Sequence, residues 1–231
     1  MLKINLSKLS ELFWENAYSA VELHATEVLK RLREQAIEQE RLRVNASIDT
    51  GSVNLAAAWS LFCATAAAKP RVVVEVGTYI GRSTKAMALA MDLNSTFDAT
   101  IFTCDASNEL EITSDGATRI AQFKRVGSTD MLSALVSEKL QTELVFLDGR
   151  ISDADVQLLS KLATPKTLYL LDDFEGIEKG VCNALKLAPS LSNSHLLIYP
   201  PRRSLLARFG IHDRSTIGAW LPMSFVSFAR Q

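Results

Sequence analysis

The chain has 231 residues, 48% of them hydrophobic and 22% charged, with 10 glycines and 6 prolines. That length suits one large α/β domain burying roughly 70% of its unfolded surface, and the composition excludes disordered, collagenous and low-complexity classes. With 25 basic residues against 26 acidic ones, a net charge of −1, there is no electrostatic case for a nucleic-acid partner.

The first 20 residues hold no unbroken apolar run, so no signal peptide is expected. From Leu6 to Leu42 the apolar residues Leu9, Phe13, Ala17, Val21, Val28, Leu32 and Ala36 recur near the helical period, which predicts a long amphipathic helix. One domain need not bury such a segment completely, so a homodimer through the N-terminal helices is expected. A break near Thr50-Gly51-Ser52 precedes a second helix, Asn54 to Ala68, ended by Lys69-Pro70. This run is interrupted by Ser60 and Thr65 and is too short to cross a bilayer, so no membrane partner is expected.

The period then changes. Arg71 to Val76 is a β-branched run bounded by Pro70 and Gly77, which predicts a strand buried on both faces. Similar runs follow at Ala99 to Cys104, Leu144 to Leu147 and Leu168 to Leu171. Helical stretches fall between them at Ser83–Met91, Gly116–Gln122, Met131–Lys139 and Asp153–Leu162. This alternation predicts an α/β fold: a Rossmann-like, mostly parallel, doubly wound sheet. Two strand-like runs in the tail, His195–Tyr199 and Thr216–Arg230, flank the basic loop 200–214 and predict a closing antiparallel hairpin. The expected organisation is a single domain, with residues 1–69 as an N-terminal helical cap and 70–231 as the α/β core. Cys63, Cys104 and Cys182 form no paired framework, which favours a reducing, cytoplasmic location.

The strongest chemical signal is Glu75-Val76-Gly77-Thr78-Tyr79-Ile80-Gly81-Arg82-Ser83-Thr84, a buried strand running through a glycine turn into a helix. Gly77 permits a sharp turn and close approach of a ligand to the main chain. Ser83 and Thr84 stand where a helix start attracts an anion, and Glu75 lies at the strand end beside the ligand crevice of open α/β sheets. The spacing is Gly-x-x-x-Gly, so the G-x-G-x-x-G pattern expected of an NAD-dependent oxidoreductase is absent.

This segment resembles motif I of class I S-adenosylmethionine (SAM) dependent methyltransferases. More narrowly, it is similar to the small metal-dependent O-methyltransferases typified by catechol O-methyltransferase and its bacterial sugar and natural-product relatives. The resemblance spans roughly Gly51 to Asp173. It implies a SAM site in which Gly77, Tyr79 and Gly81 form the turn against the methionine part. Ser83 would bond the SAM carboxylate, Glu75 would help fix the amino-acid end, and Ser52 would lie in the segment closing over it. Asp105, ending its strand, would accept the ribose hydroxyls, a task suited to a carboxylate, although such an acid also commonly caps a helix. Ser128 and Thr129 would lie beside the adenine.

Asp148 ends one buried strand and Asp172-Asp173 ends the next, so parallel neighbours would gather three carboxylates at one sheet edge. Such a cluster repels itself unless a cation intervenes, and oxygen ligands suit magnesium or manganese. The resemblance likewise implies a metal triad of Asp148, Asp172 and Asp173, with Asp173 standing where relatives carry Asn. The lysine base of catechol-type relatives is replaced here by Ile151, so the metal is expected to activate a small-molecule hydroxyl while Asp173 or water takes its proton. Asp148 and Asp173 are thus the expected catalytic groups, Asp148 also bordering SAM. The rival reading is a non-catalytic SAM-binding or assembly module. His24, His195, Trp59 and Trp220 are expected to pack or face solvent; the alternatives are that His212, in the basic loop, reaches the pocket mouth and that Trp220 walls an acceptor pocket.

Overall fold

The structure, a computed structural model, describes residues 5–46, 51–107 and 110–228. Thr50 and Arg230, at the edges of two predicted stretches, lie outside the described residues. Seven strands form one sheet: β1 (Val72–Val76), β2 (Thr100–Asp105), β3 (Arg119–Lys124), β4 (Thr142–Leu147), β5 (Ala163–Leu171), β6 (His195–Ile198) and β7 (Gly218–Pro222). Their spatial order is β3-β2-β1-β4-β5-β7-β6, with β7 antiparallel to both neighbours and the other pairings parallel. The Rossmann-like expectation and its antiparallel C-terminal pair hold.

The helices are α1 (Leu6–Ser19), α2 (Ala25–Leu42), α3 (Leu55–Ala68), α4 (Arg82–Leu93), α5 (Ser128–Ser137), α6 (Asp153–Leu162), α7 (Lys179–Leu191), α8 (Arg203–Ala207) and α9 (Met223–Phe228). The strands alternate between two cores. Val73, Ile101, Phe146 and Leu170 join α1 to α4 on one face, whereas Val74, Val145, Leu147 and Leu171 join α5 to α7 on the other. The central strands are therefore largely apolar on both faces because both are covered, with Glu75 and Thr103 the buried exceptions on β1 and β2. Within the first core, α3 is buried on every side from Ala56 to Ala66. Asn54 caps it by accepting the Ala57 N–H at 2.8 Å.

Three expectations need correction. The segment from Leu6 to Leu42 is not one helix: a 3-10 turn at Glu22–His24 separates α1 from α2. A straight helix of that length would run about 55 Å, far past the core, whereas the bend lays Trp14, Tyr18, Val28 and Leu32 into the same cluster as α3. The stretch Gly116–Gln122 is not helical but leads into β3, an edge strand with no fully buried residue, so it lacks the apolar run of its neighbours. Among the described residues of the last run, only Gly218–Pro222 is strand; α9 follows it directly.

Candidate active site

The chain passes from β1 through β2 to β3 on one side, then returns to β4 on the other. The crevice between β1 and β4 is the switch point at which open α/β sheets bind ligands beyond their strand ends. Register aligns the site: Val76 pairs with Cys104 and with Leu147, and Leu147 with Leu171. The next residues, Gly77, Asp105, Asp148 and Asp172, therefore line one edge of four adjacent strands. A pocket of about 410 Å³ opens here, lined by Gly77, Tyr79, Asp105, Ser128, Asp148 and Lys179, with Gly51 and Arg150 at its border. A larger hollow of about 820 Å³ lies at the opposite edge, by Thr100 and Arg119, away from the strand ends that carry the chemistry.

Gly77 has φ +101°, and a Cβ there would stand 2.9 Å from the Gly149 nitrogen. The glycine thus lets β1 and β4 meet at the pocket floor. Asp105 Oδ2 accepts the Tyr79 N–H at 2.8 Å, while Oδ1 accepts the Ser107 N–H and hydroxyl, each at 2.9 Å. Gly81 opens α4 but lies behind the pocket, where its carbonyl accepts from buried Gln39 at 2.8 Å.

Several residues expected on the pocket wall lie elsewhere. Glu75 is fully buried and shares the parity of Val73, so it faces α4 rather than the crevice. Ser83 and Thr84 each donate a hydroxyl to it at 2.6 Å. Ser83 therefore braces the turn from beneath, and its hydroxyl is committed to Glu75. Burial pushes the Glu75 carboxyl up to about 7, against the donors that hold its charged form. Ser52 accepts from Arg82 at 3.1 Å. Ser128 and Thr129 donate to the two oxygens of Asp155 at 2.9 and 2.7 Å, so Thr129, exposed, serves the α5–α6 contact. Trp220 and His195 are buried; Trp220 packs in the second core and His195 bonds Ser194 and the Thr167 carbonyl. His212 is exposed and is not among the pocket-lining residues.

The carboxylate cluster is the main surprise. Lys179 Nζ lies 2.7 Å from Asp148 Oδ1 and 3.0 Å from Asp173 Oδ2. Asp172 accepts the Thr216 hydroxyl at 2.5 Å. Burial lowers the Lys179 pKa, but the two carboxylates outweigh it and drive the ammonium well above its ordinary value. Burial raises Asp148, with Lys179 opposing, and burial together with Asp148 pushes Asp172 up to about 7. The magnesium or manganese expected at Asp148, Asp172 and Asp173 does not fit this arrangement. An ammonium fills the place between two of the ligands, and the third is engaged by Thr216. Among the described residues, no group of three or more His, Cys, Asp or Glu side chains is arranged to hold a metal.

Sequence reasoning missed Lys179, Asp155 and Gln39. Lys179 follows a stretch with no helical signal strong enough to place it. Asp155 is the third helical residue after Ser152, a capping-box position that names a cap but not its second duty to Ser128 and Thr129.

No protein-family model and no curated protein matches the sequence. Solved structures do. An O-methyltransferase from Bacillus cereus in complex with SAH aligns with TM-score 0.56 and 14% identity, covering 84% of this chain and 90% of that one. The O-methyltransferase TomG from Streptomyces achromogenes, involved in tomaymycin synthesis and in complex with SAM, aligns with TM-score 0.55 and 16% identity over 85% and 89% of the two chains. At such identities the likeness is one of fold, and the chain has the Rossmann-like fold of these O-methyltransferases.

Proposed function

We propose that the chain is an enzyme that binds SAM between β1, β2 and β4 and transfers its methyl group to a hydroxyl of a small molecule. The observation that carries this reading is the pocket at the switch point. There the Gly77 turn, Asp105 and Asp148 meet, in a fold shared with O-methyltransferases holding SAM or SAH. Gly77 and Tyr79 would face the methionine portion and Asp105 the ribose. A carboxylate offers about four acceptor positions, and the exposed Ser107 hydroxyl can yield its place to a ribose oxygen.

SAM carries its own leaving group, so the protein has to hold sulfur, methyl carbon and acceptor oxygen in line. The acceptor end lies toward Asp148 and Asp173, and the partly exposed Asp173 passes the acceptor proton to water. Free cysteines and the absence of any described helix long and apolar enough to cross a membrane fit the cytoplasmic setting we propose. The amphipathic faces of α1 and α2 pack on α3 within one chain. A homodimer through this region would draw on exposed Leu6, Leu23, Ile37 and Val44, and a monomer on sedimentation would remove it.

Calorimetric titration with SAM tests the site. Asp105→Ala should weaken SAM by about 10–100-fold, equivalent to the loss of a charge-assisted hydrogen bond or two. Unchanged affinity would refute the ribose assignment.

A further inference from the structure

Lys179 is the first residue of α7, at the end of a helix whose own N–H groups already favour anions. A lysine is electrostatically misplaced there unless something compensates, and Asp148 and Asp173 do so. The approach is built into the backbone: Gly180 follows, and a Cβ on it would run into the Asp172 carbonyl oxygen. Glycine thus lets the start of α7 press against the end of β5. Lys179 also lines the pocket beside Asp148 and is part-buried. An ammonium has three N–H donors; the carboxylates take two, which leaves a third for an oxygen in the pocket.

We propose that the Lys179 ammonium is the resident cation of this site, standing where a divalent ion would otherwise be needed and presenting the acceptor oxygen with a fixed positive charge and an N–H donor. The identity of that acceptor rests on the methyl-transfer reading; the assignment of the cation does not. During transfer an electron pair on the acceptor oxygen forms the O–C bond, and the C–S pair returns to sulfur to give a neutral thioether. The acceptor proton leaves to water, and the lysine keeps its own protons throughout.

The test uses the full chain with Mn²⁺ alone, its free fraction read by electron paramagnetic resonance, and with SAM titrated separately by calorimetry. Wild type and Lys179→Arg should leave millimolar Mn²⁺ free. Lys179→Ala, which strips the cation from the carboxylates, should gain affinity on the order of tenfold or more. Lys179→Met, which keeps more of the side-chain packing, should behave like the alanine variant and guards against misfolding of the latter. Wild type binding Mn²⁺ as tightly as either neutral variant, or no gain in both, overturns the proposal. A wild type that refuses SAM would sink the methyltransferase reading instead, and the metal titrations would still judge Lys179 independently.

Discussion

Replacing Glu75 with glutamine removes an ionisable group that has no exposure to water while keeping its shape. In the folded chain its pKa is raised from 4.5 to about 7, chiefly by burial. The folded state therefore binds more protons at this position than the unfolded state between those values. Stability from this group is fully present below pH 4.5, declines as pH rises, and is gone once pH passes about 7. A shift of this size corresponds to about 3 kcal/mol. Glutamine has no such dependence, and at pH 5 its amide replaces a carboxyl that is already neutral in the folded chain. Urea unfolding of both proteins at pH 5 and pH 8 isolates the effect. The stability of Glu75→Gln relative to wild type should improve by about 2–3 kcal/mol from the lower pH to the higher. An equal difference at both pH values would show that Glu75 is ionised alike in the two states, and the account of a buried brace beneath the glycine turn would fail.

Asp155→Ala removes the acceptor for Ser128, Thr129 and the Ser152 N–H at once, at a residue only 1% exposed. It should cost about 2–3 kcal/mol, visible as a lower urea midpoint; a midpoint within error of wild type would contradict the α5–α6 tie. Gly77→Ala forces a Cβ to 2.9 Å from the Gly149 nitrogen and 3.2 Å from the Asp148 carbonyl carbon at φ +101°. Both neighbours are backbone, so the variant should lose about 1–3 kcal/mol, measured as a fall in Tm. An unchanged Tm would mean that the β1–β4 floor is looser than described.

Much of this architecture is legible because burial leaves a pattern. Leu144 to Leu147 and Leu168 to Leu171 are apolar on both faces and announce themselves as central strands. Their shared register then predicts that Asp148 and Asp172 end side by side, as they do. Arg119 to Lys124 carries no such mark, since an edge strand need not be apolar on two sides. Helix α7 was hidden by Pro189, which reads as a breaker although it lies inside the helix near its end. Losing α7 also lost Lys179, and with it the charge that changes the meaning of the aspartates. The Glu75–Ser83 contact was obscured for a different reason. Strand parity gives the face of Glu75, but only the path of the Gly77–Gly81 turn decides which hydroxyl lands on it.

The all-round burial of α3 has a consequence for how the protein is made. Its covering comes from α1, α2, α4 and the sheet, and most of that covering lies later in the chain. On a translating ribosome α3 emerges before every strand of the sheet. At ordinary elongation rates the stretch from β1 through β7 takes on the order of 10–30 s to synthesise. For that interval α3 lacks α4 and the sheet as cover, and Trp59 has Tyr18 of α1 beside it but not yet Phe209. The nascent chain thus passes through a stage in which an apolar helix is incompletely covered before the residues of the pocket have all been added.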